Sequence, residues 1–226
     1  MDEEIRAAAA DTGGLDPEAK PRLRGWIHAV MAPVALVVGL VLTLTAPTSR
    51  GMATTAVFAV ATLILFTTSA IYHRGTWSPQ VAGVLRRLDH SNIFIVIAGT
   101  YTPLATLLLP STTARWLLLV VWGGALLGLL GRVFWLNAPR WLYVPVYMAL
   151  GCVAVGFLPA FWSSGGSLVA LLVIMGGIGY MLGAVAYGLK RPNPVPGWFG
   201  FHEIFHTGTV IGYGCHAAAI GLAAWA

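Results

Sequence analysis

From residue 26 to the last residue the chain carries only two acidic side chains, Asp89 and Glu203. Between and around them lie long apolar runs, each near the roughly 20 residues that an α-helix needs to cross a bilayer. A chain of this kind cannot bury so much apolar surface in a small water-soluble core. It is 58% hydrophobic and 9% charged, whereas soluble domains are about 25% charged. The reading is therefore an all-α membrane protein. In such a protein a carboxylate at membrane depth is costly and marks a functional position.

Seven apolar segments can be counted, at 26–46, 52–73, 90–109, 114–134, 141–161, 167–189 and 203–225. The breaks between them carry turn chemistry, as in Ala46-Pro47-Thr48-Ser49-Arg50 and Ser163-Ser164-Gly165-Gly166. The expected architecture is a seven-transmembrane-helix bundle over 25–226, preceded by a disordered cytoplasmic tail over 1–24 that holds six of the eight acids. With the N-terminus in the cytoplasm, eleven of the thirteen Lys and Arg residues fall inside, leaving only Arg50 and Arg115 outside. Seven crossings then place the C-terminus outside. The expected location is the plasma (inner) membrane. The net charge of +5 is a topology signal that attracts anionic lipid headgroups rather than nucleic acid. Cys152 and Cys215 form no CxxC or disulfide pattern.

The polar residues converge on this map. His73 ends the second segment, Asp89 stands at the start of the third, and His202 and His206 open the seventh. All belong to the cytoplasmic face. His202 and His206 are four apart and so stack on one face of a helix. Two imidazoles in that register can share a zinc ion, and His73 offers a third nitrogen. A catalytic zinc keeps one position open for water. Asp89 is placed to bond that water or to orient a ligand from behind. Ser69 lies one turn before His73 and could face the same cavity.

Other features have plainer readings. A single histidine at a span end usually bonds headgroups or backbone, and that reading is applied to His28 and His90. His216 lies about 15 Å along the helix from His206, too far for the same metal, and is expected to bond a neighbouring helix. His202-Glu203-Ile204-Phe205-His206 also fits H-E-x-x-H, in which Glu serves as general base of a metalloprotease. With His73 and Asp89 available as third ligand and carboxylate, Glu203 is read instead as favouring the positive N-terminal end of its helix. Gly179-x3-Gly183 and Gly208-x3-Gly212 fit close helix packing.

Ser69-x3-His73, Leu88-Asp89-His90-Ser91-Asn92-Ile93, Ala98-Gly99-Thr100-Tyr101-Thr102-Pro103 and His202-x3-His206 together resemble the hemolysin III family, within the progestin and adiponectin receptor group. The resemblance covers nearly the whole chain after residue 22. It implies a seven-helix bundle with a zinc ion near the cytoplasmic side, His73, His202 and His206 as ligands, and Asp89 on the zinc-bound water. It further implies membership of a wider set of membrane hydrolases that act on lipid amides and share the Ser69, His73, Asp89, His202 and His206 positions. Glu203 departs from the receptors. Bacterial members are named for haemolysis, which implies a pore or cytolysin.

The leading expectation is a zinc-dependent hydrolase of a lipid amide or ester, with Asp89 and Ser69 as catalytic groups. Its partners are membrane lipids and a lipid substrate, with no nucleic acid. A pore or membrane-homeostasis protein with structural zinc is the alternative, and a ligand receptor stands third.

Overall fold

A computed structural model describes residues 21–135 and 137–226. Most of the expected tail therefore lies outside the described residues. Helix α1 spans Trp26–Thr45, α2 Ser49–Arg74, α3 Pro79–Leu108 and α4 Ser111–Phe134. Helix α5 spans Arg140–Cys152 and runs through a 3-10 segment, Val153–Phe157, into α6, Leu158–Leu189. Helix α7 spans Phe201–Trp225. Among the described residues the only β-type pairing is an isolated bridge between Val195 and Phe199.

Five stretches are long and apolar enough to cross a membrane: α1, α2, α3, α4 and the 50-residue stretch Arg140–Leu189. The chain is a multi-pass, all-helical membrane protein. The fifth stretch does not run straight. A continuous helix would hold Arg140 and Tyr187 about 70 Å apart. Instead the Arg140 Nη1 group donates to the Tyr187 carbonyl at 3.0 Å, and the Tyr143 and Tyr187 hydroxyls lie 3.3 Å apart. The chain reverses at Gly166, whose φ of 82° and ψ of 171° interrupt α6. A side chain there would be strained, which is why the turn uses glycine. Helix α7 is 25 residues long but is not one of the five apolar stretches. His202, Glu203, His206 and His216 make it more polar.

Helix ends follow local chemistry. Thr48 Oγ1 accepts from the Gly51 N–H at 3.0 Å to cap α2. Ser78 Oγ accepts from Val81 N–H at 3.4 Å, with Pro79 at the first helical position of α3. These signals start α3 eleven residues before residue 90, where hydropathy places the start of the segment. Asp89 consequently sits about 15 Å into the helix, with Arg86 and Arg87 on the turn before it.

The central helix is α3. Its most apolar window is 67% buried, against 22% for α1 and for α4. Outward residues of α1 such as Val37, Leu40 and Leu44 stay exposed, as a lipid-facing surface requires. Phe58, Phe66 and Phe94 fill the interior. Helix α7 packs closely on the second limb of α6 through glycines. A Cβ built on Gly208 would stand 2.6 Å from the Gly179 carbonyl oxygen, so only hydrogen fits there.

Candidate metal site and its cavities

Three helices bring the site together. His73 lies in the last turn of α2, Asp89 in α3, and His202 and His206 in the first two turns of α7. All four are buried. One ligand atom from each of His73, His202 and His206 lies within 4.8 Å of the others, so the three can hold a metal ion. The Nε2 atoms of His73 and His202 are 3.2 Å apart. Two nitrogens bound at about 2.0–2.1 Å to one tetrahedral ion stand about 3.3 Å from each other. The spacing and the all-nitrogen donor set therefore fit zinc. His206 Nδ1 is buried without a protein hydrogen-bond partner.

Asp89 Oδ2 lies 3.6 Å from His73 Nε2, beyond direct hydrogen-bond distance and close enough to act on the same small volume. Ser69, one turn before His73, is buried with its hydroxyl beside the Asp89 carboxylate. Ser69, Asp89, His202 and His206 all line one cavity of about 490 Å³. The rest of that cavity is largely apolar, with Ile97, Leu104, Val173 and Ile178 among its walls. Its size is that of a small-molecule pocket.

A second cavity of about 760 Å³ lies at the same end of the bundle and is lined by Arg24, Arg86, Arg140, His73 and His202, among others. His90, Tyr143, Tyr187 and His202 border both cavities. The histidine cluster thus stands where an apolar chamber meets a basic one.

Glu203 is fully buried and is not one of the three grouped metal-binding residues. Its Oε2 accepts from the Gly200 N–H at 2.9 Å, a cap on the first turn of α7. Its Oε1 pairs with Arg24 Nε at 2.5 Å. Both oxygens are thereby engaged, which leaves neither placed as the general base that H-E-x-x-H provides elsewhere. Arg24 belongs to residues 21–24, at the end of the expected tail. Those residues form a turn docked on the loop before α7, with Arg22 N–H bonded to Gly197 O at 2.9 Å and Leu23 N–H to Trp198 O at 3.3 Å.

His28 differs from the interfacial expectation. It is 2% exposed, and its ring stacks on His206 with centroids 3.7 Å apart and planes at 10°. The ring is drawn inward because α1 packs along α2 and α7, placing this turn over the histidine cluster rather than at a headgroup. Its position at the same bundle end as the other three histidines was the available signal. His90 Nδ1 accepts from Arg132 Nη2 at 2.7 Å. His216 Nε2 meets the Val173 carbonyl of α6 at 3.2 Å, the interhelical bond anticipated from sequence. Cys152 and Cys215 are free.

The sequence model of the family described as "Haemolysin-III related" matches residues 18–217. A protein named "Hemolysin-3 homolog" from Bacillus subtilis (strain 168) is 33% identical over 136 residues, which are 60% of this chain and 63% of that relative. "Hemolysin-3" from Bacillus cereus is 27% identical over 162 residues, 71% of this chain and 73% of the relative. The match thus spans somewhat less than two thirds of the Bacillus subtilis protein.

Proposed function

The chain belongs to the haemolysin-III-related family, and from that premise we propose that it is a zinc-dependent hydrolase of lipid amide or ester bonds. The observation that carries this reading is the burial of a three-histidine cluster beside an apolar cavity that Ser69, Asp89, His202 and His206 line. A purely structural zinc site has no need of such a chamber.

His73, His202 and His206 would hold the ion. Zinc bound there supplies Lewis acidity to a carbonyl and lowers the pKa of a bound water to about 7. The chain's own groups do the rest. The apolar walls take the acyl chain and exclude bulk water, which strengthens electrostatic effects at the reacting carbonyl. Asp89 accepts the proton of the attacking water and returns it to the leaving amine or alcohol, a role for a carboxylate in reach of the reacting atoms. Ser69 Oγ–H, which lies beside the Asp89 carboxylate in the same cavity, donates to the carbonyl oxygen as charge develops on it.

The same proposal includes seven crossings of the plasma membrane, N-terminus inside and C-terminus outside. The reversal at Gly166 supports counting two crossings between Arg140 and Leu189. The excess of Arg and Lys on one side supports the orientation. The partners are then membrane lipids, with the site facing the cytoplasmic leaflet. A cytolytic pore is the second reading, favoured by the names of the two Bacillus relatives.

The test is hydrolysis of N-acyl and O-acyl lipids by purified protein in liposomes, with a chelator and zinc-repletion arm. Turnover that disappears with chelator and returns with zinc supports the hydrolase. Dye leakage from the liposomes without any turnover supports the pore instead.

A further inference from the structure

The apolar chamber accounts for one end of a lipid; the basic chamber takes no part in the proposed hydrolysis itself. We infer that it binds an anionic headgroup, so that the substrate class, within the hydrolase reading on which this rests, is an acyl amide or ester whose leaving part carries a carboxylate or phosphate.

Three guanidinium groups, from Arg24, Arg86 and Arg140, line this vestibule. Glu203 neutralises only Arg24. Among the described residues neither Arg86 nor Arg140 forms an ion pair. Arg140 is held in place all the same. Its Nη1 donates to the Tyr187 carbonyl at 3.0 Å, and the guanidinium stacks 4.3 Å from the Tyr187 ring centroid and 5.3 Å from that of Phe201. A fixed guanidinium with donors to spare and no carboxylate is prepared for an oxyanion.

Placement adds the second line of support. His90, Tyr143, Tyr187 and His202 border both the vestibule and the apolar chamber. A molecule with an acyl chain in one and its head in the other therefore crosses the histidine cluster at the junction between tail and head. That junction is where the amide or ester bond of an acyl lipid lies. A neutral head would leave two arginines without an anion, whereas a carboxylate or phosphate pairs with them. Basic residues on a membrane protein's inner face also attract anionic surfaces in general. Arg87 serves to separate the two effects, because it is adjacent in sequence and is not a lining residue of the vestibule.

The experiment is binding of radiolabelled tetradecyl phosphate and of tetradecanol to the purified full chain in neutral maltoside micelles, with wild type, Arg86→Gln, Arg140→Gln and Arg87→Gln. The expected result is at least a ten-fold preference for the phosphate in wild type and Arg87→Gln, falling toward unity in Arg86→Gln and in Arg140→Gln. Arg86 is exposed, so its variant tests the idea even if Arg140→Gln folds poorly. Equal binding of the two ligands by wild type overturns the inference. So does a preference that Arg87→Gln reduces as much as Arg86→Gln, which reports surface charge only. Turnover of an N-acyl amino acid beside an N-acyl ethanolamine of the same chain length keeps the two claims apart. A phosphate preference without turnover of either amide sinks the hydrolase and leaves the vestibule. Equal turnover of both amides without a binding preference does the reverse.

Discussion

His73 and His202 stand 129 residues apart in the chain, yet their Nε2 atoms are 3.2 Å apart. Two nitrogens that ligate one ion stand at about this spacing. The end of α2 and the start of α7 meet at this point, and both side chains are buried there.

In the proposed hydrolysis Asp89 transfers a proton and does not ligate the ion. Asp89→Ala and Asp89→Asn should each keep the wild-type zinc content and lose turnover by about 100-fold or more. Metal analysis run beside the hydrolysis assay checks this. Loss of zinc in both variants would reassign Asp89 to the metal sphere.

Arg24 and Glu203 fix the first turn of α7. Arg24→Ala leaves a fully buried carboxylate without its cation, a change that costs about 3 kcal/mol in comparable pairs. The thermal midpoint should fall clearly. Glu203→Gln keeps an oxygen for the Gly200 N–H and should fall less. Thermal unfolding in detergent reads both, and an Arg24→Ala midpoint equal to wild type would show that the pair carries no stability.

These groups were unequally legible in the sequence. His73, Asp89, His202 and His206 stood out because each is costly in an apolar helix and all four lie at one end of their segments. The helical class followed from the apolar runs for the same reason. The start of α3 was hidden because hydropathy follows apolar content, while Ser78 and Pro79 act through capping. The Arg24–Glu203 pair was hidden because residues 21–24 read as part of a polar tail, and no local pattern joins residue 24 to residue 203. His28 was hidden because burial of a span-end residue depends on which helix covers it.

His28 stacks on His206 with ring centroids 3.7 Å apart. His28→Leu should retain one zinc per chain and weaken its affinity about 10-fold, the lower range for residues that orient a metal ligand. Competition with a chelator of known affinity measures this. Unchanged affinity would reduce His28 to a filler of the α1 interface.

Gly208 and Gly214 separate packing from helix propensity on one helix. Gly208→Leu forces a side chain against the Gly179 carbonyl, whereas a Cβ on Gly214 meets no other atom within 4 Å. Gly208→Leu should yield little folded protein, and Gly214→Ala should match wild type or exceed its midpoint slightly. Size-exclusion profiles and thermal midpoints decide it. A well-folded Gly208→Leu would contradict the close packing of α6 on α7.

The most direct test of the central claim is zinc content per chain in protein purified without added chelator, beside His73→Ala, His202→Ala, His206→Ala and His90→Ala. The account predicts one zinc in wild type and in His90→Ala, and a large loss in each of the other three. Wild-type protein without zinc, or zinc retained at full occupancy in all three ligand variants, would contradict it.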